Sequence, residues 1–171
     1  MAVYVMSPDT IQRTNMRNLS DLTMNLPRFG TCCGCGFITL VSLRGTAGVA
    51  NYFSDVPVEL FAGRGYTFDI DSMQVLKGPQ GTLFGVANNG GAILENPRKP
   101  GSEFGGYGQV TVGTYGRLLV EGAMDVPLVQ NKVNARVAFT TGHQNGIGQR
   151  MDTMERIGNE NYWAVRASLD F

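Results

Sequence analysis

Toward the C-terminal end of the chain, apolar and polar positions alternate with a period of two. From Arg117 to Leu128, Leu118, Val120, Met124, Val126 and Leu128 fall on one side with Gly122 among them, and Arg117, Glu121 and Asp125 fall on the other. Lys132 to Gly142 repeats the pattern, with Val133, Ala135, Val137 and Phe139 set against Lys132, Asn134, Arg136 and Thr140. In Tyr162 to Phe171, Trp163, Val165, Ala167, Leu169 and Phe171 oppose Arg166, Ser168 and Asp170. A weaker instance, Tyr107 to Gly113, alternates Val110 and Val112 with Gln109 and Thr111. Successive side chains of a strand point to opposite faces, so four antiparallel strands with one apolar and one polar face are predicted.

Such a sheet has two settings. Its apolar face lies on a soluble core, or it faces lipid in a membrane barrel whose polar face points inward. Periodicity does not separate them. Length and connections favour the barrel: the strands approach the ~9–11 residues of a tilted transmembrane strand, against a soluble mode of ~5–6. Val129-Gln130-Asn131 makes a tight turn, whereas Gly142 to Asn159 is long and polar, an inequality expected between the two sides of an outer membrane.

Upstream of Pro97-Arg98-Lys99-Pro100-Gly101-Ser102, where two prolines and a glycine mark a boundary, the pattern is mixed. Val3 to Met6 reads as a strand. Ser7-Pro8-Asp9 is a helix start, with Ser at the N-cap and Pro at the first helical position, and a short helix is expected over Asp9 to Thr14. A second start lies at Asn18-Leu19-Ser20-Asp21, with Leu19, Leu22 and Leu26 at helical spacing until Pro27 stops the run. Phe37 to Arg44, Ala50 to Val58 and Ser72 to Leu76 read as strands between Gly-rich turns. Residues 3–97 are thus expected to form an α+β domain whose helices are confined to about Ser7 to Leu26.

Composition narrows the function. The 171 residues include 23 glycines and only 16% charged residues, whereas ordinary chains hold ~7% glycine and ~25% charge. The longest apolar stretch, Phe37 to Leu43, falls far short of the ~20 residues of a membrane-spanning helix. Fourteen basic residues balance fourteen acidic ones, so no basic field exists to recruit nucleic acid. The first residues lack the basic and apolar regions of a secretory signal, so none is expected within them.

The three cysteines are clustered as Cys32-Cys33-Gly34-Cys35 and cannot staple distant parts of a fold. A closed zinc site wants four ligands, and the single histidine, His143, is remote in sequence, so a Gly-rich loop over Gly30 to Gly36 with free thiols is expected instead, with no metal and no cofactor. Catalysis has little to work with. His143 lies in a polar loop with no Ser/His/Asp arrangement around it, and Asp69 and Asp71 read as a solvated turn or cap, so the chain is not expected to be an enzyme.

The densest motif is Val75-Leu76-Lys77-Gly78-Pro79-Gln80-Gly81-Thr82-Leu83-Phe84-Gly85, followed by Asn88-Asn89-Gly90-Gly91-Ala92-Ile93. It departs from a phosphate cradle: Lys-Ser or Lys-Thr does not follow the last glycine, and no G-x-G-x-x-G occurs. Glycines supplying positive φ and Pro79 fixing its own φ describe a series of tight turns. These residues resemble the plug domain of TonB-dependent outer-membrane receptors. Val3 to Ile11 resembles its first strand and helix, Asn18 to Leu22 with Leu26-Pro27 its second helix, Val41 to Gly45 its apolar strand ending in Arg-Gly, and Tyr52 to Val58 its tyrosine-to-proline strand.

The resemblance implies a plug domain over residues 1–100, then the first four strands of an incomplete β-barrel over 101–171. The family's barrel has about 22 strands, and four cannot close a membrane barrel. The chain therefore looks like a fragment or a degenerate copy, and nothing before Val3 represents the family's energy-coupling segment. Glu95 and Asn96 stand where the family is usually apolar, and the stretch from Gly45 to Tyr52 is short. By resemblance the function is energised uptake of an iron chelate or another scarce nutrient in the outer membrane. The implied partners are the TonB complex through an upstream segment, a small nutrient such as a ferric siderophore, and membrane lipid.

Thr31 to Gly36, Gly45 to Ala50 and Leu60 to Tyr66 are the implied outward loops. Arg44, Arg64 and Tyr66 are the implied ligand contacts, suited to an anionic, aromatic-bearing ligand, with ion pairing of Arg44 inside the plug or to the barrel wall as the competing reading. Lys77, Gly78, Pro79, Gly81, Gly85, Gly90 and Gly91 form the implied structural motif of the plug, Lys77 as a plug-to-barrel ion pair. Two other readings stand beside this one: a soluble plug-like interaction or signalling module, and a phosphate-loop enzyme.

Overall fold

The computed structural model describes residues 2–14, 16, 19–34, 38–58, 67–78, 89–129 and 132–171. They fall into two compact units, Met1–Arg98 and Lys99–Phe171.

The first unit runs β1 (Ala2–Met6), α1 (Pro8–Arg13), a 3₁₀ turn (Leu19–Asp21), α2 (Leu22–Asn25), β2 (Phe29–Gly34), β3 (Ile38–Leu43), β4 (Thr46–Ala47), β5 (Val49–Phe53), β6 (Val56–Val58), β7 (Ile70–Lys77) and β8 (Gly91–Pro97). Among the described residues its helices all lie before Leu26. The Ser7 hydroxyl accepts the Thr10 N–H, Pro8 opens α1, and Asp9 and Arg13 complement the helix dipole at its two ends. Five strands form a sheet in the order β1-β7-β8-β5-β6, with β5 and β8 parallel and the other neighbours antiparallel. The core covers one face of it: Met6, Met73, Val75 and Ile93 meet Ile11 and Leu22 of the helices and Val41 and Leu43 of the β2-β3-β4 sheet. Tyr52, Leu76 and Ala92 form a smaller cluster.

Two expectations for this unit change. Ala50 to Val58 is not one strand but a hairpin: Ser54 and Asp55 both take left-handed conformations, φ 51° and 64°, and fold β6 back on β5. That turn normally advertises itself with Asn-Gly, which Ser-Asp does not. The Gly30 to Gly36 segment is not a loop as far as Gly34. Thr31, Cys32 and Cys33 belong to β2, paired with Val41, Leu40 and Thr39, because β3 supplies a ladder that local composition cannot reveal. Cys35 and Gly36 lie outside the described residues. The unusual Glu95 and Asn96 do not interrupt β8: the Glu95 carbonyl accepts the Ser54 N–H at 3.0 Å, and the Asn96 amide donates to Ser72 Oγ at 3.2 Å.

The second unit contains β9 (Gly105–Gly113), β10 (Arg117–Val129), β11 (Val133–Gln144), β12 (Gly148–Gln149), β13 (Arg156–Ile157) and β14 (Glu160–Asp170). The four long strands form an antiparallel sheet in the order β14-β11-β10-β9, and the Gly142 to Asn159 connection carries the small β12–β13 hairpin. Register pairs Val120 with Val110 and Thr141, and Thr141 with Trp163, so each row is shared across the sheet. One face thus carries Leu118, Val120, Met124, Val126, Val133, Val137, Phe139, Trp163, Val165 and Leu169. The opposite face carries Arg117, Glu121, Asp125, Asn134, Arg136, Arg166 and Asp170.

Candidate functional site

On the polar face, the Arg136 guanidinium and the Asp125 carboxylate form an ion pair at 2.5 Å, both largely buried. Asp125 also accepts the Gly101 N–H at 3.1 Å, which ties the segment entering the sheet to β10. The Tyr107 hydroxyl donates to Glu121 at 2.6 Å. On the apolar face the large side chains stand free, with Trp163 79% exposed. A guanidinium–carboxylate pair kept dry on one face and a tryptophan left in the open on the other reverse the usual order of a water-soluble sheet.

The end of the sheet beyond Arg117 and Gln144 is laced together. Tyr115 and Gly116 are both left-handed and close the β9–β10 turn, and the Tyr115 carbonyl accepts the Asn145 N–H at 3.0 Å. The Arg156 guanidinium lies 5.8 Å from the centre of the Tyr115 ring. Gly146 N–H donates to Asn159 at 2.6 Å, and His143 contacts Asn161 across β11 and β14. His143 is exposed. Among the described residues no cluster of three His, Cys, Asp or Glu converges on a metal position.

Arg44 follows β3, exposed and left-handed at φ 55°, and its N–H donates to the carbonyl of Arg28, itself left-handed at φ 61°. The two arginines share an open cavity of about 420 Å³ with Phe29, Gly30, Ser42 and Gly45. Arg28 carried no signal in the sequence, since only the β2–β3 register brings it beside Arg44. That register also separates two segments expected to share one surface. Gly34 pairs with Ile38 at one end of the hairpin and Phe29 with Leu43 at the other, so Thr31 to Gly34, the described part of the first segment, runs toward the end opposite Arg44 and Gly45. Antiparallel pairing over six rows sets the ends roughly 17 Å apart. Arg64, Tyr66 and the Leu60 to Tyr66 segment lie outside the described residues.

Of the glycine motif, Pro79, Gly81 and Gly85 also lie outside them, while Lys77, Gly78, Gly90 and Gly91 come together. Lys77 pairs with Gly91, Gly78 N–H donates to the Gly90 carbonyl at 3.2 Å, and Gly90 N–H donates to that of Gly48 at 3.1 Å. Gly91 has φ 143°, and a Cβ there would lie 2.2 Å from the Leu76 carbonyl oxygen, so glycine alone fits. Asp69 is buried and left-handed before β7, its carbonyl accepting the Arg98 N–H, while Asp71 is exposed.

Residues 1–92 match the TonB-dependent receptor plug domain. The chain belongs to this family. Its fold is a plug domain followed by antiparallel strands, and it is shared with solved receptors. The ferric yersiniabactin uptake receptor FyuA of Yersinia pestis superposes with a TM-score of 0.90 at 21% identity, over 98% of this chain and 28% of that one. The siderophore receptor PiuA of Acinetobacter baumannii gives 0.84 at 20% identity, over 98% and 24%. The ferripyoverdine receptor of the outer membrane of Pseudomonas aeruginosa gives 0.74 at 18%, over 85% and 20%. The chain thus spans about a quarter of the length of these receptors.

Proposed function

We propose that this chain forms the plug, residues 1–100, and the first four wall strands, residues 101–171, of a TonB-dependent outer-membrane receptor for energised uptake of an iron chelate. The observation that carries the reading is the sheet of the second unit, whose outward rows are apolar and whose opposite rows hold its charges. From Leu118 to Leu128 that apolar face runs for about 33 Å of strand, or about 25 Å of height at a ~40° tilt, which is the height of the lipid-facing band of an outer-membrane barrel. Trp163, His143 and Asn161 then stand at one margin of the band, where an interfacial tryptophan belongs.

In this reading the apolar rows contact lipid, and the polar rows line the lumen around the plug. The TonB complex engages a segment upstream of β1. Arg44, Arg64 and Tyr66 are the proposed ligand contacts, with the Arg28–Arg44 pair able to grip anionic oxygens. Since the β2–β3 register puts Gly34 and Ile38 at the end of the hairpin opposite Arg44, only one of the two ends faces an incoming ligand. No catalytic role is proposed. Four strands leave two open edges whose backbone groups cannot be satisfied in hydrocarbon, so the 171 residues alone are expected to give no channel conductance and no transport.

Spin labels on cysteines introduced at Val120, Val137 and Val165 of the whole receptor, with its barrel intact in a bilayer, test the reading. They should be accessible to oxygen and shielded from a water-soluble relaxer, while labels at Glu121, Arg136 and Arg166 lack that signature. If the first set proves buried against protein in a water-soluble particle, a soluble plug-like interaction module replaces the receptor. Uptake of labelled ferric chelates by cells carrying the whole receptor, with and without TonB, tests the nutrient.

A further inference from the structure

Arg117 begins β10 on the polar face, next to the Thr114–Gly116 turn at the laced end of the sheet. Its aliphatic stem lies over Gly113, whose missing side chain leaves the space: a Cβ there would stand 3.3 Å from Arg117 Cδ. Both Nε and Nη2 of Arg117 are buried and make no hydrogen bond. These two nitrogens form the edge of a guanidinium that grips a carboxylate or phosphate with two parallel hydrogen bonds. Leaving them dry and unpaired is expensive, because a buried charge without an acceptor loses its hydration and gains nothing in return. The polar face offers no relief nearby: Glu121 is engaged by Tyr107, and Asp125 by Arg136 and Gly101.

We infer that Arg117 is an anion-binding residue at the rim of the sheet, which takes a carboxylate or phosphate oxygen pair on its Nε/Nη2 edge. The chemistry of the site favours such a ligand in two ways. The edge has already been stripped of water by folding, so an anion that reaches it restores hydrogen bonds that burial removed. A second cation stands at the same turn, since Arg156 stacks on Tyr115 two positions from Arg117. The acidic residue nearest along the row is Glu160, which lies beyond Gln144 on the far strand and has interactions of its own. Arg117 is only half-buried, and its stem can lift from Gly113 to admit the ligand.

The inference rests on the receptor reading only in calling this face the lumen. As a binding site it is tested on its own, with the whole receptor in lipid bicelles and the arginine side chains labelled with ¹⁵N. The Arg117 Nε–H resonance, assigned by its disappearance in Arg117→Gln, is followed on titration with citrate and separately with inorganic phosphate, with chloride as the ionic-strength control. A saturable shift with citrate identifies a carboxylate ligand, and one with phosphate alone identifies a phosphate ligand. Arg117→Lys should weaken either by about tenfold, because an ammonium lacks the two-pronged edge. Arg156→Gln should weaken it less.

The Arg136 resonance, held by Asp125, reports that each variant is folded. A shift no larger than that from chloride overturns the inference, as does saturable binding that survives in Arg117→Gln. Spin labels at Val165 in the same preparation read lipid access separately. Lost anion binding with intact lipid access defeats this inference alone, and retained binding with water-exposed labels defeats the receptor reading alone.

Discussion

The two units use the same kinds of side chain in opposite ways. In the first, Met6, Leu22, Met73, Val75 and Ile93 are almost wholly withdrawn from solvent, packed between a sheet, two short helices and a hairpin. In the second, Val165 and Leu169 remain more than half exposed beside Trp163, while Arg136 is 5% exposed. Neither composition nor strand propensity accounts for this, because both units are rich in β-branched and aromatic residues. The difference lies in what each apolar face meets. The first unit buries its apolar surface against itself and gains the hydrophobic term within the chain. The second leaves that surface uncovered within its own unit, as the lipid-facing wall of the proposed receptor would.

Five substitutions press on that contrast. Asp125→Ala leaves the Arg136 guanidinium buried without its carboxylate and frees Gly101 N–H. It should destabilise the second unit by about 4 kcal/mol in denaturant unfolding from micelles. A small effect would mean that the polar face is hydrated after all. Leu22→Ala removes a fully buried side chain and should cost about 3 kcal/mol in the first unit. Leu169→Ala, which strips a side chain of similar size from the apolar face of β14, should change stability in detergent-free buffer by less than about 0.5 kcal/mol. Equal losses at the two sites would erase the distinction between the units.

In a bilayer, Val165→Arg should cost about 2–3 kcal/mol of folding free energy, a penalty that vanishes if the face contacts water. A modest loss is expected at Ser7→Ala, where removal of the hydroxyl that caps α1 should cost about 1 kcal/mol. A null result there would show that tertiary packing against Ile11 alone holds the helix.

Much of this architecture was legible along the chain. Ser7 and Pro8 announce a helix because a capping hydroxyl and a fixed φ act within one turn. The alternation from Arg117 onward announces strands and their faces because side chains of a strand point alternately up and down. Features that depend on a distant partner were not legible. Cys32 and Cys33 sit in a strand because Leu40 and Thr39 lie beside them. The Ser54-Asp55 hairpin holds because β8 fixes β5 in place and the Glu95 carbonyl receives the Ser54 N–H. The glycine motif was visible as a set of turns, but the closure of Gly78 on Gly90 and of Gly90 on Gly48 was not.

The candidate sites divide in the same way. Residue type alone made Arg44 and Arg117 cations available for an anion, and alternation put Arg117 on the polar face. The β2–β3 register set Arg44 beside Arg28 and at the end of the hairpin away from the Gly34–Ile38 pair. That Arg117 Nε and Nη2 find no hydrogen-bond partner among the described residues also had to wait for the fold. Local sequence determined helix starts, strand faces and the positions where only glycine fits, since those follow from dihedral preference and the period of side-chain direction. Tertiary structure decided which charges are paired and which are left waiting, because an ion pair or an orphaned guanidinium depends on neighbours that the order of residues does not name.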